Sequence, residues 1–426
     1  MDKIVGKTEG LTGEIVIPSD KSISHRAAIF SLLCDSPLKI KNFSKGEDCH
    51  SSLRIVQQLG AKVEFLSEQD LIITPPKFLQ SPKEDLYCGN SGTTMRLMSG
   101  ILAGQNFDSV LTGDESLSKR PMKRVITPLS QMGGKIESND FKAPLKIYGQ
   151  KLKGITYNSP LASAQVKSCI LLGGLFAEGE TIVTEPYLSR NHSELMLKYL
   201  GADISAQKTT VKIKPSKLKS KDIEIAGDIS SAAFFLVAGA ITPNSKIKIK
   251  NSGLNPTRTG IIEVLKQMGA DLKIENEKCI SGEKIGDITI STSHLKGVTI
   301  KGELIPKLID EIPVIAVLAT QAEGKTIIKN AQDLRNKESD RIKVVVNALK
   351  SIGADVEETP DGMIINGKTP LKGGVEIESF HDHRIAMSFY IAGMICQNPI
   401  TIKGFEWVNI SFPEFENLMK ILNVYK

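Results

Sequence analysis

Hydrophobic residues at helical spacing recur along the chain in segments that each end at a glycine, namely Gly60, Gly133, Gly201, Gly269 and Gly353. Leu, Ile, Val and Met at this spacing form one buried stripe on a helix. A glycine after the stripe is typical of a helix C-terminus, where a positive φ is favourable. A short alternating run such as AKVEFL follows and predicts a strand. Each segment therefore predicts an amphipathic helix followed by a strand.

A second type of predicted helix is apolar nearly all round, which is typical of helices inside a domain. Its four clearest examples are SCILLGGLFA, SAAFFLVAGAI, IPVIAVLAT and HRIAMSFYIAGMI. The glycines that end the first helix type are 73, 68, 68 and 84 residues apart. The C-terminal FENLMKILNVYK resembles a sixth segment that is cut short. Six α/β units of this size favour two globular domains of three units each over a solenoid.

The length and composition agree with two ordinary globular domains. The chain has 426 residues, of which 41% are hydrophobic and 24% are charged. No apolar run is long enough to span a membrane, and the N-terminus has no apolar secretory segment. The six cysteines are scattered without a C-x-x-C pair, which disfavours a zinc site or a disulfide framework and favours the cytoplasm.

The charge balance suits small acidic ligands better than nucleic acid. The net charge is +6, from 54 Lys and Arg against 48 Asp and Glu. An excess of this size fits either kind of partner. However, only 5% of the residues are aromatic and there is no long basic run, so base stacking on a single strand is poorly supported.

The segment PSDKSISHRAAIF concentrates donors and cations where a helix is predicted to begin. Pro18, Ser19 and Asp20 should end the incoming strand and cap the helix. The first turn then presents Lys21, Ser22 and, one turn later, Arg26. Unsatisfied N–H groups at a helix start attract anions. This pattern is consistent with a phosphate or carboxylate pocket and equally with a capped helix that carries solvated cations.

Further polar segments precede the other predicted helices. GNSGTTMRL contains Gly92, at which an anion could approach the backbone closely, although a tight turn explains it too. LTGDESLSKRPMKR contains Arg120 beside a rigid proline, in what could also be a solvated loop. YNSPLASAQVKS puts Ser163 and Gln165 before a buried helix, where polar groups need partners. Neither a P-loop nor a G-x-G-x-x-G motif occurs, so a common nucleotide site is not indicated.

The C-terminal half adds acidic groups to this pattern. LIDEIPVIAVLA contains Asp310, NKESDRIKVV contains Lys337, Glu338 and Arg341, and FHDHRIAMSF contains Arg384. Three consecutive residues, 381–383, could be metal ligands, but side chains so close in sequence rarely converge on one ion. Helix starts facing each other across a hinge would form a cleft for small polyanions. Carboxylates in such a cleft would be expected to move protons.

The motifs DKSISHRA, GNSGTTMRL, KRPM, SAQVKS, DEIP, KESDRI and DHRIAM together resemble the 5-enolpyruvylshikimate-3-phosphate synthase family, in order and spacing, over essentially the whole chain. The resemblance implies transfer of the enolpyruvyl group of phosphoenolpyruvate to the 5-hydroxyl of shikimate 3-phosphate, in the pathway to chorismate and the aromatic amino acids. It implies a two-domain inside-out α/β barrel built from six β-α-β-α-β-β repeats, arranged three plus three. Residues 1–17 and 228–426 would form one domain and residues 18–227 the other.

The resemblance also implies roles for individual residues. Contacts to shikimate 3-phosphate are expected from Lys21, Ser22, Arg26, Ser163, Gln165, Arg190, Asp310 and Lys337. Contacts to phosphoenolpyruvate are expected from Lys21, Gly92, Arg120, Gln165, Arg341 and Arg384. Catalysis is expected from Asp310 as the base at the 5-hydroxyl, Glu338 as the acid and base at the methylene carbon, and Lys21. No metal, organic cofactor, membrane or nucleic acid is expected to take part, and a monomer is expected.

Two departures and two alternatives accompany this interpretation. Ala164 stands where some family members have serine, and Ile410 stands where some have a lysine that contacts phosphoenolpyruvate. The closest alternative is UDP-N-acetylglucosamine 1-carboxyvinyltransferase, which usually has a reactive cysteine in the loop corresponding to TGDESLSKRPM. A non-catalytic polyanion-binding or scaffold protein is the other alternative, although it would not need Asp310, Lys337 and Glu338 together.

Overall fold

The computed structural model describes residues 1–422 and divides into two compact units. Unit 1 comprises Met1–Pro18, Gly227–Lys278 and the chain from Lys284 onward. Unit 2 comprises Ser19–Ala226 and the short segment Cys279–Glu283. The predicted sixth segment FENLMKILNVYK forms a helix over Phe415–Leu422, and its remaining residues lie outside the described part of the chain. Among the described residues, no helix is both long and apolar enough to cross a membrane.

The elements up to Glu224 are β1 (Lys3–Val5), β2 (Thr12–Val16), α1 (Lys21–Ser31), β3 (Leu38–Lys41), α2 (Glu47–Gln58), β4 (Lys62–Phe65), β5 (Leu71–Thr74), β6 (Leu86–Tyr87), α3 (Gly92–Ala103), β7 (Ser109–Thr112), α4 (Glu115–Lys119), α5 (Lys123–Gln131), β8 (Lys135–Asn139), β9 (Lys142–Tyr148), β10 (Thr156–Asn158), α6 (Ala164–Gly174), β11 (Thr181–Thr184), α7 (His192–Tyr199), β12 (Ile204–Gln207), β13 (Thr210–Ile213) and β14 (Ile223–Glu224).

The elements that follow are α8 (Ile229–Ile241), β15 (Lys246–Gly253), α9 (Gly260–Gln267), β16 (Asp271–Ile280), β17 (Glu283–Ser291), β18 (Thr299–Ile300), α10 (Ile305–Leu308), α11 (Ile312–Thr320), β19 (Gly324–Ile328), α12 (Arg341–Ser351), β20 (Asp355–Thr359), β21 (Gly362–Gly367), β22 (Glu376–Glu378), α13 (His383–Gly393), β23 (Ile400–Lys403) and α14 (Phe415–Leu422). Short 3-10 helices cover Gly302–Leu304, Ile309–Glu311, Gln332–Asn336 and Phe405–Ile410.

The predicted helix–glycine–strand pattern is confirmed. Helices α2, α5, α7, α9 and α12 each end two residues before the expected glycine. These five glycines all have positive φ, from +85° at Gly201 to +103° at Gly60. A side chain would strain the backbone in this region, whereas glycine adopts it readily. The glycines therefore turn each helix into the strand that follows it.

The described residues form six small sheets that share one strand arrangement. In each, an outer strand runs parallel to its neighbour and the next strand is antiparallel, as in the order β6-β7-β9-β8. Five sheets have four strands, and the sheet β1-β23-β22 has three. Three sheets, including β14-β3-β5-β4 and β10-β11-β13-β12, draw their strands from unit 2. The mixed α/β class predicted from the sequence is therefore confirmed.

The predicted apolar helices lie inside the two units. Helices α8, α11 and α13 are buried along most of their length in unit 1 and join its hydrophobic core. Helix α6 is buried in unit 2 and packs closely on α3. A Cβ on Gly100 would lie 2.1 Å from the carbonyl oxygen of Cys169, so this crossing requires glycine. Because the helices are buried, their polar starting residues are carried toward the interior.

A buried row of hydroxyls and one imidazole connects three helices of unit 2. His25 Nδ1 on α1 lies 2.8 Å from Ser52 Oγ on α2, and Ser52 Oγ lies 2.8 Å from Thr94 Oγ1 on α3. Thr94 in turn donates to Ser91 Oγ, which caps α3. Burial, with a smaller contribution from Lys21, lowers the pKa of His25 to about 3. The imidazole is therefore neutral, and it fixes the start of α3 relative to α1.

Acidification should weaken unit 2 through His25. A histidine whose pKa is about 3 when folded and near 6.5 when unfolded stabilises the fold above pH 6.5 and loses this contribution as the pH falls. Relative to His25→Asn, the wild-type chain should lose about 2 kcal/mol of unfolding free energy between pH 6.5 and pH 5. Urea titrations of both chains at each pH measure this difference, and parallel pH dependences would contradict it.

Candidate functional site

In unit 2, capping and ion pairing organise the start of α1. Asp20 caps the helix by accepting a hydrogen bond from Ile23 N at 2.8 Å, as the sequence predicted. Lys21 and Ser22 lie half-buried on the first turn. The amine of Lys21 forms an ion pair with Asp48 at the start of α2, a partner that sequence reasoning missed. The pair orients the lysine at the helix start.

Arg26 lies one turn further along α1 and is buried, with only 3% of its surface exposed. Its guanidinium donates to Ser193 Oγ at 2.8 Å, to Ser168 Oγ at 3.1 Å and to the carbonyl oxygen of Ser22 at 2.8 Å. Burial lowers the pKa of Arg26 to about 10, while the charge of Glu194 opposes this shift. The cation is therefore held by neutral oxygens.

The start of α3 brings Gly92 and Arg120 together. Asn90 Oδ1 accepts from Arg120 Nη2 at 2.7 Å, and the Asn90 amide donates to Asp114 at 2.8 Å. Arg120 also donates to Ser116 Oγ at 3.2 Å. A Cβ added at Gly92 would lie 3.6 Å from Arg120 Nη1 and 2.7 Å from Arg96 Nη1. The glycine thus leaves the backbone open beside two guanidinium groups.

The start of α6 completes this cluster in unit 2. Gln165 Oε1 accepts from Arg96 Nη1 at 2.5 Å, and Gln165 Nε2 donates to Thr93 Oγ1 at 2.9 Å. Ser163 is the N-cap residue of α6. Arg190 precedes α7, and its repulsion of Arg26 contributes to the lowered pKa of Arg26. Contacts between α1, α3 and α6 therefore join predicted residues from three separate sequence segments.

Unit 1 gathers a second group around Arg341, which is the first residue of α12 and is 1% exposed. Its Nε donates to Asp382 Oδ2 at 2.8 Å and its Nη2 donates to Asp382 Oδ1 at 3.1 Å. Nη2 also lies 2.7 Å from Glu338 Oε2. Burial opposes the charged form, but Asp382 and then Glu338 outweigh it and raise the pKa of Arg341. Arg341 is therefore a permanent cation whose direction Asp382 fixes.

Asp310 stands beside the same arginine. Its Oδ1 lies 3.3 Å from the Lys337 amine and 3.5 Å from Arg341 Nη1. Its backbone oxygen accepts from Arg384 Nη1 at 3.1 Å. The predicted residues of the C-terminal half are thus brought together within unit 1. They combine a carboxylate beside an amine with a second carboxylate beside a guanidinium, an arrangement able to move protons and hold anions.

Residues 381–383 do not share one partner. His381 stacks on Trp407 with ring centroids 4.4 Å apart. Asp382 is fully buried, accepts from Arg341 and Ser339, and caps α13. Among the described residues, no group of three or more His, Cys, Asp or Glu side chains is arranged to hold a metal ion. Ile410 ends a 3-10 helix and contributes no charge.

Several residues that organise these clusters were not predicted from the sequence. They include Asp48, Asn90, Lys167 and Glu185. Asn90 and Lys167 lie within the quoted motifs, yet their spacing gives no sign of which side chain they contact. Glu185 and Asp48 lie outside those motifs. The sequence offered one sign of such partners, namely Lys167 at the start of an apolar helix. A buried lysine requires acidic partners, so its position indicated that carboxylates should lie nearby.

The chain is similar to one enzyme family over nearly its whole length. The family model for EPSP synthase (3-phosphoshikimate 1-carboxyvinyltransferase) matches residues 5–419. The 3-phosphoshikimate 1-carboxyvinyltransferase of Petrotoga mobilis is 52% identical over 424 residues, covering 98% of each chain. That of Bacillus subtilis is 51% identical, covering 97% of this chain and 98% of the relative.

Solved structures give the same result. A 2.37 Å structure of EPSP synthase from Acinetobacter baumannii superposes with a TM-score of 0.89 at 45% identity, covering 99% of this chain and 98% of that one. The enolpyruvyl transferase NikO from Streptomyces tendae superposes with a TM-score of 0.82 at 16% identity, covering 99% and 97% of the two chains. At this identity the second likeness concerns the fold alone.

Removing the carboxylate of Asp382 should destabilise unit 1. Asp382→Ala leaves the guanidinium of Arg341 buried without its two-bond partner, and breaking a buried ion pair in this way costs about 3–5 kcal/mol. Urea unfolding measures the loss. The exposed carboxylate of Glu357 supplies the control Glu357→Ala, which should change stability by less than about 0.5 kcal/mol. Equal effects of the two substitutions would contradict the role of Asp382.

Proposed function

This chain belongs to the EPSP synthase family, and we propose that its two side-chain clusters divide the work of 3-phosphoshikimate 1-carboxyvinyl transfer. The reaction joins the enolpyruvyl group of phosphoenolpyruvate to the 5-hydroxyl of shikimate 3-phosphate and releases phosphate. The observation that carries the proposal is the group formed by Asp310, Lys337, Glu338 and Arg341. It offers two carboxylates to move protons and two cations to hold anionic substrates.

We assign the proton transfers to unit 1. Asp310 would take the proton of the 5-hydroxyl, and Lys337, 3.3 Å from its carboxylate, would orient the hydroxyl. Glu338 would deliver a proton to the methylene carbon C3 and later remove one. Its carboxylate lies 2.7 Å from Arg341 Nη2, so the same arginine that holds a substrate anion can steer the acid.

We assign the phosphate of shikimate 3-phosphate to unit 2. Arg26 and the first turn of α1, with Lys21 and Ser22, supply positive charge and N–H donors. Ser163, Gln165 and Arg190 would add contacts from the starts of α6 and α7. Support comes from the hydrogen bonds of Arg26 to neutral oxygens, because a cation with this environment keeps a strong attraction for an incoming phosphate.

Phosphoenolpyruvate carries a phosphate and a carboxylate, each of which suits a planar guanidinium. We propose that Arg120, Arg341 and Arg384 bind these two groups, and that Lys21, Gly92 and Gln165 complete the contacts. Asn90 would orient Arg120, because Asn90 Oδ1 accepts a hydrogen bond from Arg120 Nη2 at 2.7 Å. Arg341 would exchange part of its contact with Glu338 for the substrate, while Asp382 keeps its direction fixed.

The chemical steps then balance without a cofactor. Protonation of C3 by Glu338 gives an oxocarbenium-like carbon at C2 of phosphoenolpyruvate. The 5-hydroxyl oxygen attacks C2 while Asp310 accepts its proton, which forms a tetrahedral intermediate. Loss of a C3 proton to Glu338 and cleavage of the C2–O bond to phosphate restore the double bond, and the leaving phosphate takes up the proton that Asp310 accepted. Guanidinium groups stabilise the phosphate as it leaves.

UDP-N-acetylglucosamine is the less favoured acceptor. Relatives about half identical to this chain carry the 3-phosphoshikimate name, and the loop TGDESLSKRPM lacks the cysteine expected of the alternative enzyme. Phosphate release from phosphoenolpyruvate, measured with each acceptor in turn, separates the two activities. Release with shikimate 3-phosphate alone is the expected result.

Three finer features belong to the same proposal. The shared strand arrangement of the six sheets supports six β-α-β-α-β-β repeats, three in each half, forming an inside-out barrel. All six cysteines are unpaired thiols, which suits a reducing cytoplasm. A monomer, which the resemblance to the family implies, is proposed as well.

Asp310→Ala should abolish the base without abolishing substrate binding. We expect kcat to fall about 10²- to 10⁴-fold, while calorimetry shows shikimate 3-phosphate binding within a few-fold of wild type. The exposed Glu303 on the preceding 3-10 helix supplies the control Glu303→Gln, which should retain full turnover. Near-normal turnover of Asp310→Ala would remove Asp310 from the mechanism.

Gly92→Ala should weaken phosphoenolpyruvate binding selectively. The new Cβ would lie 2.7 Å from Arg96 Nη1, so this guanidinium must shift and its hydrogen bond to Gln165 is disturbed, whereas Arg120 Nη1 at 3.6 Å would be in ordinary contact. Loss of one charged hydrogen bond corresponds to a rise of about tenfold in KM for phosphoenolpyruvate, with KM for shikimate 3-phosphate little changed. Gly6→Ala, whose Cβ would meet its nearest neighbour at 3.7 Å, is the control. Equal changes in both KM values would contradict this role.

A further inference from the structure

A lysine and two glutamates form a buried charge cluster behind the α6 start of unit 2. Lys167 Nζ lies 2.8 Å from Glu185 Oε2 and 2.7 Å from Glu194 Oε1, and side-chain exposure is 1% for Lys167 and Glu185 and 6% for Glu194. Burial alone would lower the pKa of Lys167, but the two carboxylates outweigh it and raise the pKa. The lysine is therefore held between the two glutamates, and the fold fixes the positions of all three side chains.

Besides its ion pair with Lys167, Glu185 accepts hydrogen bonds from two other segments of the chain. Its Oε1 accepts a hydrogen bond from the backbone N–H of Ser163 at 2.8 Å. Its Oε2 accepts from Ser189 Oγ at 2.8 Å and from Ser189 N at 3.3 Å. Ser163 begins the segment that leads to Gln165, and Ser189 directly precedes Arg190. One buried carboxylate thus joins two segments that carry proposed substrate contacts.

We propose that Glu185 is a positioning residue that aligns the segments 163–165 and 189–190 for the phosphate of shikimate 3-phosphate. The inference rests on the proposed function and extends it to a residue that touches no substrate. Lys167 holds the carboxylate in place and also lies 3.5 Å from the carbonyl oxygen of Ser189. The two segments consequently share one rigid anchor.

Stability alone does not account for this arrangement. A buried ion pair contributes little net stability compared with apolar residues of similar volume, because desolvation of the charges offsets their attraction. Glu194 already neutralises Lys167 from the other side. The contacts made by Glu185 and not by Glu194 are the bonds to Ser163 and Ser189. Glu194 acts on Lys167 and also, by its charge, on Arg26, so loss of its charge should not weaken anion binding, whereas loss of that of Glu185 also removes contacts to the two segments.

The test compares Glu185→Gln with Glu194→Gln. The glutamine at 185 can still accept from Ser163 N, but its NH₂ group cannot accept from Ser189. We expect KM and Kd for shikimate 3-phosphate to rise about tenfold, KM for phosphoenolpyruvate to rise less through the shared contact of Gln165, and kcat to stay within about twofold. Glu194→Gln should not weaken shikimate 3-phosphate binding. Glu180→Gln, at an exposed position before β11, should behave as wild type.

Two results would overturn the proposal. One is an unchanged Kd for shikimate 3-phosphate in a folded Glu185→Gln chain. The other is equal weakening by Glu185→Gln and Glu194→Gln, which would indicate a purely structural charge cluster. If Glu185→Gln does not fold, Ser189→Ala decides the question, because it removes one hydrogen bond and keeps the ion pairs. A Kd raised about threefold would support the proposal, and an unchanged Kd would contradict it.

Calorimetry separates this inference from the proposed reaction. If the wild-type chain binds shikimate 3-phosphate but releases no phosphate from phosphoenolpyruvate, the reaction is wrong and the Kd comparison still decides the role of Glu185. If shikimate 3-phosphate does not bind at all, inorganic phosphate replaces it as the probe. Weaker phosphate binding in Glu185→Gln than in Glu194→Gln then supports positioning, and equal binding contradicts it.

Discussion

Burying the polar starts of apolar helices is the constraint on which this structure depends. A helix that is apolar all round is stable only inside a unit, but its first turn then carries unsatisfied N–H groups and charged side chains inward. Three aspartates satisfy some of these N–H groups by capping helices: Asp20 caps α1, Asp228 caps α8 and Asp382 caps α13. The remaining charges are neutralised by side chains from neighbouring helices, which fixes the helix starts relative to one another.

The two units meet this constraint in different ways, with different chemical results. In unit 2, Arg26 is bonded to hydroxyl and carbonyl oxygens, and burial lowers its pKa to about 10. In unit 1, Arg341 is bonded to carboxylates, which raise its pKa against the effect of burial. An incoming anion would meet a guanidinium whose hydrogen bonds go to neutral oxygens, while the charges of Glu194 and Asp20 also act on it. At Arg341 it competes with Glu338, which couples anion binding to the position of a carboxylate.

Local sequence was sufficient for the helix ends and for the polar clusters at the helix starts. Helix periodicity and the glycines at 60, 133, 201, 269 and 353 predicted helix ends that the structure confirms, because a positive φ is a local property. The polar clusters at the helix starts were also predicted, because capping residues act over a few neighbouring positions. Partners distant in sequence could not be predicted. Asp48 beside Lys21 and Glu185 beside Lys167 depend on which helices pack together.

The sequence by itself therefore determined the α/β class, the six recurring segments and the residue types available for acidic, phosphate-bearing substrates. Helical and strand periodicities and capping residues act over a few positions, so they can be recognised in the sequence alone. Tertiary structure alone decided which carboxylate neutralises each cation, and hence which cations are held by neutral oxygens and which by acids. The physical reason is that ion pairing and burial depend on distance in space, and the packing of α1, α3 and α6 or of α11, α12 and α13 sets those distances.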